Sequence, residues 1–407
     1  MHICFICREY PPSLRGGGIA SYIKEMAKGL CNTGHQVTVI CASDDTRKET
    51  QYKDGNINVI RLKGGNFLIP QIEKRTFIRR FRSLYRFHSY MKKIRKAVLS
   101  LEKIDIIEVA EYGAESYYLK NINIPIVTRL HAPTLLNFTT KGRSKLSLRN
   151  APFYWQGVQE LKLVQNSKYT TSCSASLKEW IVQNTNKHPE EIKVIHNPIS
   201  CSSWLSPAIH PYAEISTKDK KTILFAGTIC ATKGCEDLAE ACKLLHEQNP
   251  SLDFIVKFVG KTGSFSKKLQ QKYSNQCWFQ IIGKVKREEL MKMYGEADVV
   301  CFPSWWENMP MVCLEAMLCG SVVIGSNSGG MSEIIENGKS GFLLSPKQPQ
   351  DWADKILEVF NMDSKDRKLI TQAAQQRIKT TFDTKVIIPQ MLQYYNNIII
   401  NFKQNKY

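Results

Sequence analysis

The chain has 407 residues, 43% of them hydrophobic and 23% charged, with a formal net charge of +19. That length accommodates two domains of about 200 residues, each with its own core, and the composition is that of a soluble globular protein. No apolar run approaches the ~20 residues needed to span a bilayer, and MHICFICREYPP lacks a basic segment ahead of its apolar stretch. Neither a spanning helix nor a signal peptide is expected, and the expected location is the cytoplasm.

The thirteen cysteines include one C-x-x-C, Cys4 and Cys7. Residues three apart in a strand face opposite sides of a sheet, so these read as core thiols rather than a redox pair. No second C-x-x-C or H-x3-H stands at zinc spacing, and no metal site is expected. Charge is uneven: residues 1–200 hold 31 basic and 16 acidic side chains, the remainder 25 and 21.

In chain order, strands are expected at HICFIC (2–7), HQVTVICA (35–42), INVIRL (57–62), IDIIEVA (104–110), PIVTRL (125–130), YTTSCS (169–174) and IKVIHN (192–197). Helical patterns at 19–32, 76–101, 153–166 and 175–183 fill most gaps, and this alternation indicates a parallel sheet covered by helices. Gly16, Gly17 and Gly18 lie between the first strand and the first helix. Glycines there let a backbone approach a ligand and present open amides at a helix start, with Gly17 and Gly18 the candidates.

The helix at 76–101 is unusual. Residues 73–96 hold ten Lys or Arg and one acidic residue, and Phe77, Phe81, Leu84, Tyr85, His88 and Met91 fall at helical spacing within them. Two compatible readings stay open: contact with anionic lipid, or an aromatic stripe packed on the chain's own sheet. Nothing resembles a nucleic-acid recognition motif. Further on, His131 closes PIVTRLH, where it can donate to a hydroxyl or a departing oxygen, or serve the structure alone.

Residues 198–220 are irregular, with Pro207 and Pro211, and mark a linker. The expected domains are 1–198 and 221–381, joined by 199–220, with 382–407 as a terminal helical segment. A second alternating series follows: TILFAG (222–227), LDFIVKFVG (252–260), WFQIIG (278–283), ADVVCFPS (297–304) and SVVIGS (321–326). In GTICATKG, Lys233 precedes the next helix and is a candidate for binding phosphate. In WWENMPMVCLEAMLCG (305–320), Pro310 suits the first turn of a helix and not its interior, so Glu307 belongs to the entering loop and Glu315 to the helix. A strand, a short loop and a helix start describe a pocket where open α/β sheets bind ligands.

Pro303-Ser304, Glu307, Glu315-Ala316-Met317 and Gly320 together resemble the retaining glycosyltransferases of family four, whose fingerprint is Pro-Ser, E-x7-E and E-A-M-x-x-G. Gly227, Lys233 and Gly234 resemble that family's G-R-x-x-x-x-K-G, with Thr228 in the arginine position. GSNSGGMSEII (325–335) is similar to its G-G-x-x-E-I-I. The resemblance covers essentially the whole chain. It implies the GT-B fold, two Rossmann-like α/β domains with the active site in the cleft between them and a last helix returning to the first domain. It also implies transfer of a sugar, with retention, from a UDP-sugar or GDP-sugar to an acceptor hydroxyl, with no cofactor and no bound metal.

Under the same resemblance, Lys233 meets the diphosphate, Glu307 the transferred sugar, Glu315 the ribose hydroxyls and His131 the region of the sugar. Gly17 and Gly18 meet the donor phosphate or the acceptor. The amides of Met309 and Met311 reach sugar and phosphate, whereas Pro310 stands where many relatives have glycine and offers no amide. Gly329 and Gly330 start a helix on the donor side. A hydroxyl cannot replace a guanidinium, so Thr228 removes one cationic contact. The basic first half points to a lipid-linked or growing surface glycan as acceptor (lipopolysaccharide, capsule or exopolysaccharide), met at the inner face of the membrane. A nucleotide-sugar epimerase of similar fold and a catalytically silent glycan-binding relative are the alternatives.

Overall fold

The structure, a computed structural model, describes residues 1–13, 16–45, 48–65, 76–140, 151–204 and 220–404, with 76–83 and Thr139 described by backbone alone. It divides into two compact units, Met1–Pro198 with Thr384–Tyr407, and Ile199–Asp383.

The first unit is built on an eight-stranded sheet. Its strands are β1 (His2–Ile6), β2 (Gln36–Ala42), β3 (Thr50–Asp54), β4 (Ile57–Leu62), β5 (Ile106–Ala110), β6 (Ile126–Leu130), β7 (Tyr169–Ser172) and β8 (Ile192–Val194). The spatial order is β3-β4-β2-β1-β5-β6-β7-β8, and every pair is parallel except β3–β4. Sequence reading missed β3. Its TQYKD is polar and mostly exposed because it is an edge, so it carries no apolar run to find.

Alternation along β1 divides its residues between two cores. Ile3, Phe5 and then Cys7 face one layer, and Cys4 and Ile6 face the other. Both cysteines are buried free thiols on opposite faces of the strand, and burial pushes Cys4 up to about 12. On the Cys7 side lies the helix Gly18–Asn32, packed against Ile387, Ile388, Met391, Tyr395 and Ile398 of the terminal helix Thr384–Gln404.

The helix Thr76–Leu99 corrects the expected stripe. Its buried face is Phe87, Tyr90, Met91, Ile94 and Val98, whereas Tyr85 is 74% exposed and Leu84 lies at the surface. Phe77 and Phe81 lie outside the residues whose side chains are described. The inward face is set by a run at i, i+3, i+4, i+7 and i+11 that begins at Phe87, one position out of phase with the expected one.

The second unit carries β9 (Lys221–Ala226), β10 (Phe254–Val259), β11 (Phe279–Gly283), β12 (Val299–Phe302), β13 (Val323–Ser326) and β14 (Phe342–Leu344), all parallel. Their order is β11-β10-β9-β12-β13-β14. The order reverses at β9, flanked by β10 and β12, as it does at β1 in the first unit. In open α/β sheets such switch points are where ligands bind, outside the carboxyl ends of the strands. Of the segment expected as linker, Cys201–Trp204 is a helical turn in the second unit, with the Arg287 guanidinium 4.2 Å from the Trp204 ring centroid. Residues 205–219 lie outside the described residues. Among the described residues no helix is long and apolar enough to cross a membrane.

Candidate active site

In the second unit the site forms at the carboxyl ends of β9 and β12. After β9 the chain passes Gly227 and Thr228 into a short 3-10 turn, Ala231–Lys233, then Gly234 and the helix Cys235–Gln248. Gly234 has φ +67, and a Cβ there would overlap the Pro303 carbonyl oxygen, so glycine lets the loop leaving β9 lie on the loop leaving β12. The Trp305 amide donates to the Thr232 carbonyl at 3.0 Å and locks the two loops in register.

That contact brings Lys233 to Glu307. The ammonium lies 2.5 Å from Glu307 Oε1, which also accepts from the Ser304 hydroxyl at 2.7 Å. The Glu307 side chain is 12% exposed. Burial works against the Lys233 charge, but the adjacent carboxylate outweighs it and holds the ammonium above its ordinary pKa. The Gly330 amide donates to the Glu307 carbonyl at 2.7 Å, and a Cβ on Gly329, at φ +69, would overlap that same carbonyl. Lys233, Glu307, Gly329 and Gly330, chosen from three separate motifs, thus meet at one place.

Pro310 stands one residue earlier than expected. It is the N-cap of the helix Met311–Leu318, with φ −74 and ψ 113, and Met309 and Met311 on either side are buried. Glu315 is on that helix and half-buried, and Thr228 is exposed on the loop after β9. Sequence reading missed the anchor of the Glu307 loop. The Trp305 indole donates to Asp237 Oδ2 at 2.6 Å, and the Lys347 ammonium lies 3.9 Å from its ring centroid. The paired tryptophans immediately before Glu307 were the available clue.

The first unit carries the other candidates. Gly17 is the N-cap of the helix Gly18–Asn32. It lies in extended backbone, and Gly18 has open space beside it, so the chain's own packing does not demand glycine at either position.

His131 follows β6 and is buried, its ring 4.7 Å from that of Tyr22 in an edge-to-face contact. Burial, and then the neighbouring Arg129, hold its imidazole well below the ordinary pKa, so it is neutral at physiological pH. Its loop is held by two buried carboxylates that sequence reading did not single out. Glu111 accepts from the amides of His131 at 2.8 Å and Ala132 at 2.5 Å. Glu160 accepts from the amides of Gly113 at 2.8 Å and Thr134 at 2.7 Å. Burial raises Glu111 to about 8, against the opposing pull of the donated amides. Among the described residues no three His, Cys, Asp or Glu side chains converge as a metal site would need.

Residues 16–203 match Glycosyltransferase Family 4, and residues 211–377 match Glycosyl transferases group 1. An uncharacterized glycosyltransferase of Methanocaldococcus jannaschii is 28% identical over 375 residues, covering 88% of this chain and 89% of that protein. Among solved structures, sucrose-phosphate synthase from Thermosynechococcus elongatus has a TM-score of 0.78 at 17% identity, covering 98% of this chain and 99% of that one. Anabaena HepE in complex with UDP-glucose has a TM-score of 0.69 at 19% identity, covering 98% of this chain and all of that one. At such identities the two structures speak for the fold alone. With one family matched across most of its first half and the other across most of its second, on two parallel α/β units, the chain belongs to the GT4-type glycosyltransferases of GT-B fold.

Proposed function

We propose that this glycosyltransferase moves a sugar, with retention, from a UDP-sugar or GDP-sugar to the hydroxyl of a lipid-linked or growing surface glycan. The observation that carries the reading is the meeting of Lys233 with Glu307 beside the Gly330 amide, at the switch point of the second sheet. A cation placed there can neutralise the diphosphate as it leaves, and a carboxylate can accept hydrogen bonds from sugar hydroxyls. Glu315 is assigned to the ribose, and the amides of Met309 and Met311 to sugar and phosphate. His131, neutral and held by the Glu111 clasp, is assigned to a hydroxyl of the transferred sugar. Gly17 and Gly18 are assigned to close approach of donor phosphate or acceptor. The anomeric carbon–oxygen bond breaks toward the diphosphate, the acceptor oxygen bonds from the same face, and its proton passes to the departing phosphate oxygen.

The test is a panel of UDP- and GDP-sugars measured by thermal shift and by transfer. A donor present at a hundred times its Kd stabilises the folded state by about 2.7 kcal/mol. Transfer is expected to survive EDTA, because Lys233, loop amides and helix starts neutralise the diphosphate in this reading. Full loss on chelation, restored by Mg²⁺ or Mn²⁺, would assign that charge to a metal. Stabilisation by no donor of either base would remove the reading altogether.

The acceptor side of the proposal rests on the helix Thr76–Leu99, where Leu84, Tyr85 and Arg86 are exposed in a segment rich in arginine. We place the protein on the cytoplasmic face of an anionic membrane. Attraction of this kind is screened over about 8 Å at physiological ionic strength, so liposome binding should need anionic lipid and fall steeply with salt. Replacing Arg79, Arg80, Arg82 and Arg86 by glutamine should abolish it and leave donor binding unchanged. Equal recovery on neutral and anionic vesicles would point to a soluble acceptor.

A further inference from the structure

We propose that Lys261 supplies the second cationic contact to the donor diphosphate, in place of the guanidinium that Thr228 lacks; this rests on the donor reading above. The placement comes from the sheet. Strands β9 and β10 are parallel neighbours, and their pairing continues beyond both strand ends, with Gly227 N donating to Val259 O at 2.9 Å and Ile229 N to Lys261 O at 3.0 Å. Gly260 has φ +142, and a Cβ on it would overlap the Gly227 carbonyl oxygen, so the two loops lie backbone to backbone. Thr228 and Lys261 therefore stand beside each other across two touching turns.

Among the described lysines of these loops, Lys261 is one that stands open to solvent. Lys233 is engaged by Glu307, and Lys347 lies over the Trp305 ring, whereas the Lys261 side chain is exposed. The loop leaving β9 has Lys261 on its β10 side and Glu307 on its β12 side. A diphosphate set over Thr228 would then have one ammonium on each flank. A lysine is a compact charge on a flexible stem, so it can serve from an adjacent loop what a guanidinium would serve from the position itself.

The experiment measures binding of UDP, GDP, UMP and GMP by calorimetry to the wild-type protein, Lys261→Ala, Thr228→Arg and the double variant. Losing one charge-assisted contact should weaken the preferred nucleoside diphosphate about tenfold and the monophosphate much less. Adding Thr228→Arg to Lys261→Ala should restore most of the loss, which a merely structural lysine would not permit. Thermal midpoints should be unchanged, since the side chain is exposed. Diphosphate binding by Lys261→Ala equal to wild type overturns the inference and leaves the donor reading standing, as does an equal loss for mono- and diphosphates. Binding of neither nucleoside diphosphate by the wild-type protein overturns the donor reading itself.

Discussion

Glu307→Gln and Lys233→Ala are each expected to slow sugar transfer by roughly two orders of magnitude or more, about 3 kcal/mol of barrier. The leaving diphosphate gains charge as the anomeric bond breaks, and Lys233 is already fixed by Glu307 and needs little reorganisation to meet it. Glutamine keeps the size of Glu307 and one acceptor oxygen for Ser304 or Lys233, but its second acceptor becomes a donor. Steady-state rates at saturating donor, beside circular dichroism and a thermal melt, separate chemistry from folding. Near-wild-type rates in both variants would remove the site assignment. A rate loss that tracks the melt would show the pair to be structural.

The fold was largely legible because the second sheet is wholly parallel and the first is parallel apart from its edge strand β3. Buried strands read as apolar β-branched runs, and the five runs read in the second half each became a strand, whereas the short edge β14 was missed. What was not legible has two physical sources. Edges such as β3 hide because one side faces water and the residues are polar. Long-range polar contacts hide because spacing along the chain says nothing of them: Glu111 reaches His131, and Trp305 reaches Asp237, only once strands are side by side. The aromatic phase of the basic helix failed for a related reason. A segment with aromatics at many positions supports more than one face, and packing kept the expected Met91 but chose Phe87 and Tyr90 over Leu84 and Tyr85.

The motif residues of the second unit were legible as chemistry but not as architecture. Lys233 and Glu307 are 74 positions apart, and the sequence named each without showing that they touch. What joins them is a glycine that sequence reading valued only as part of a motif string. Gly234 adopts φ +67 with its Cα against the Pro303 carbonyl.

Gly234→Ala should therefore be among the most damaging small substitutions in this unit. The left-handed conformation costs an alanine about 1–2 kcal/mol, and the new methyl overlaps backbone that no rotamer change can clear. A total loss of about 3 kcal/mol is expected, which lowers the melting temperature of a unit this size by about 6–12 °C. Transfer should fall with it even at temperatures where the variant is folded, because parting the two loops takes Lys233 away from Glu307. Gly295→Ala is the control. It lies within the helix Arg287–Glu296, where an added Cβ would enter open space, so alanine there should be neutral or stabilising by about 0.5–1 kcal/mol. If Gly234→Ala melted and turned over like wild type, the contact between the loops after β9 and β12 could not be what holds the Lys233–Glu307 pair together.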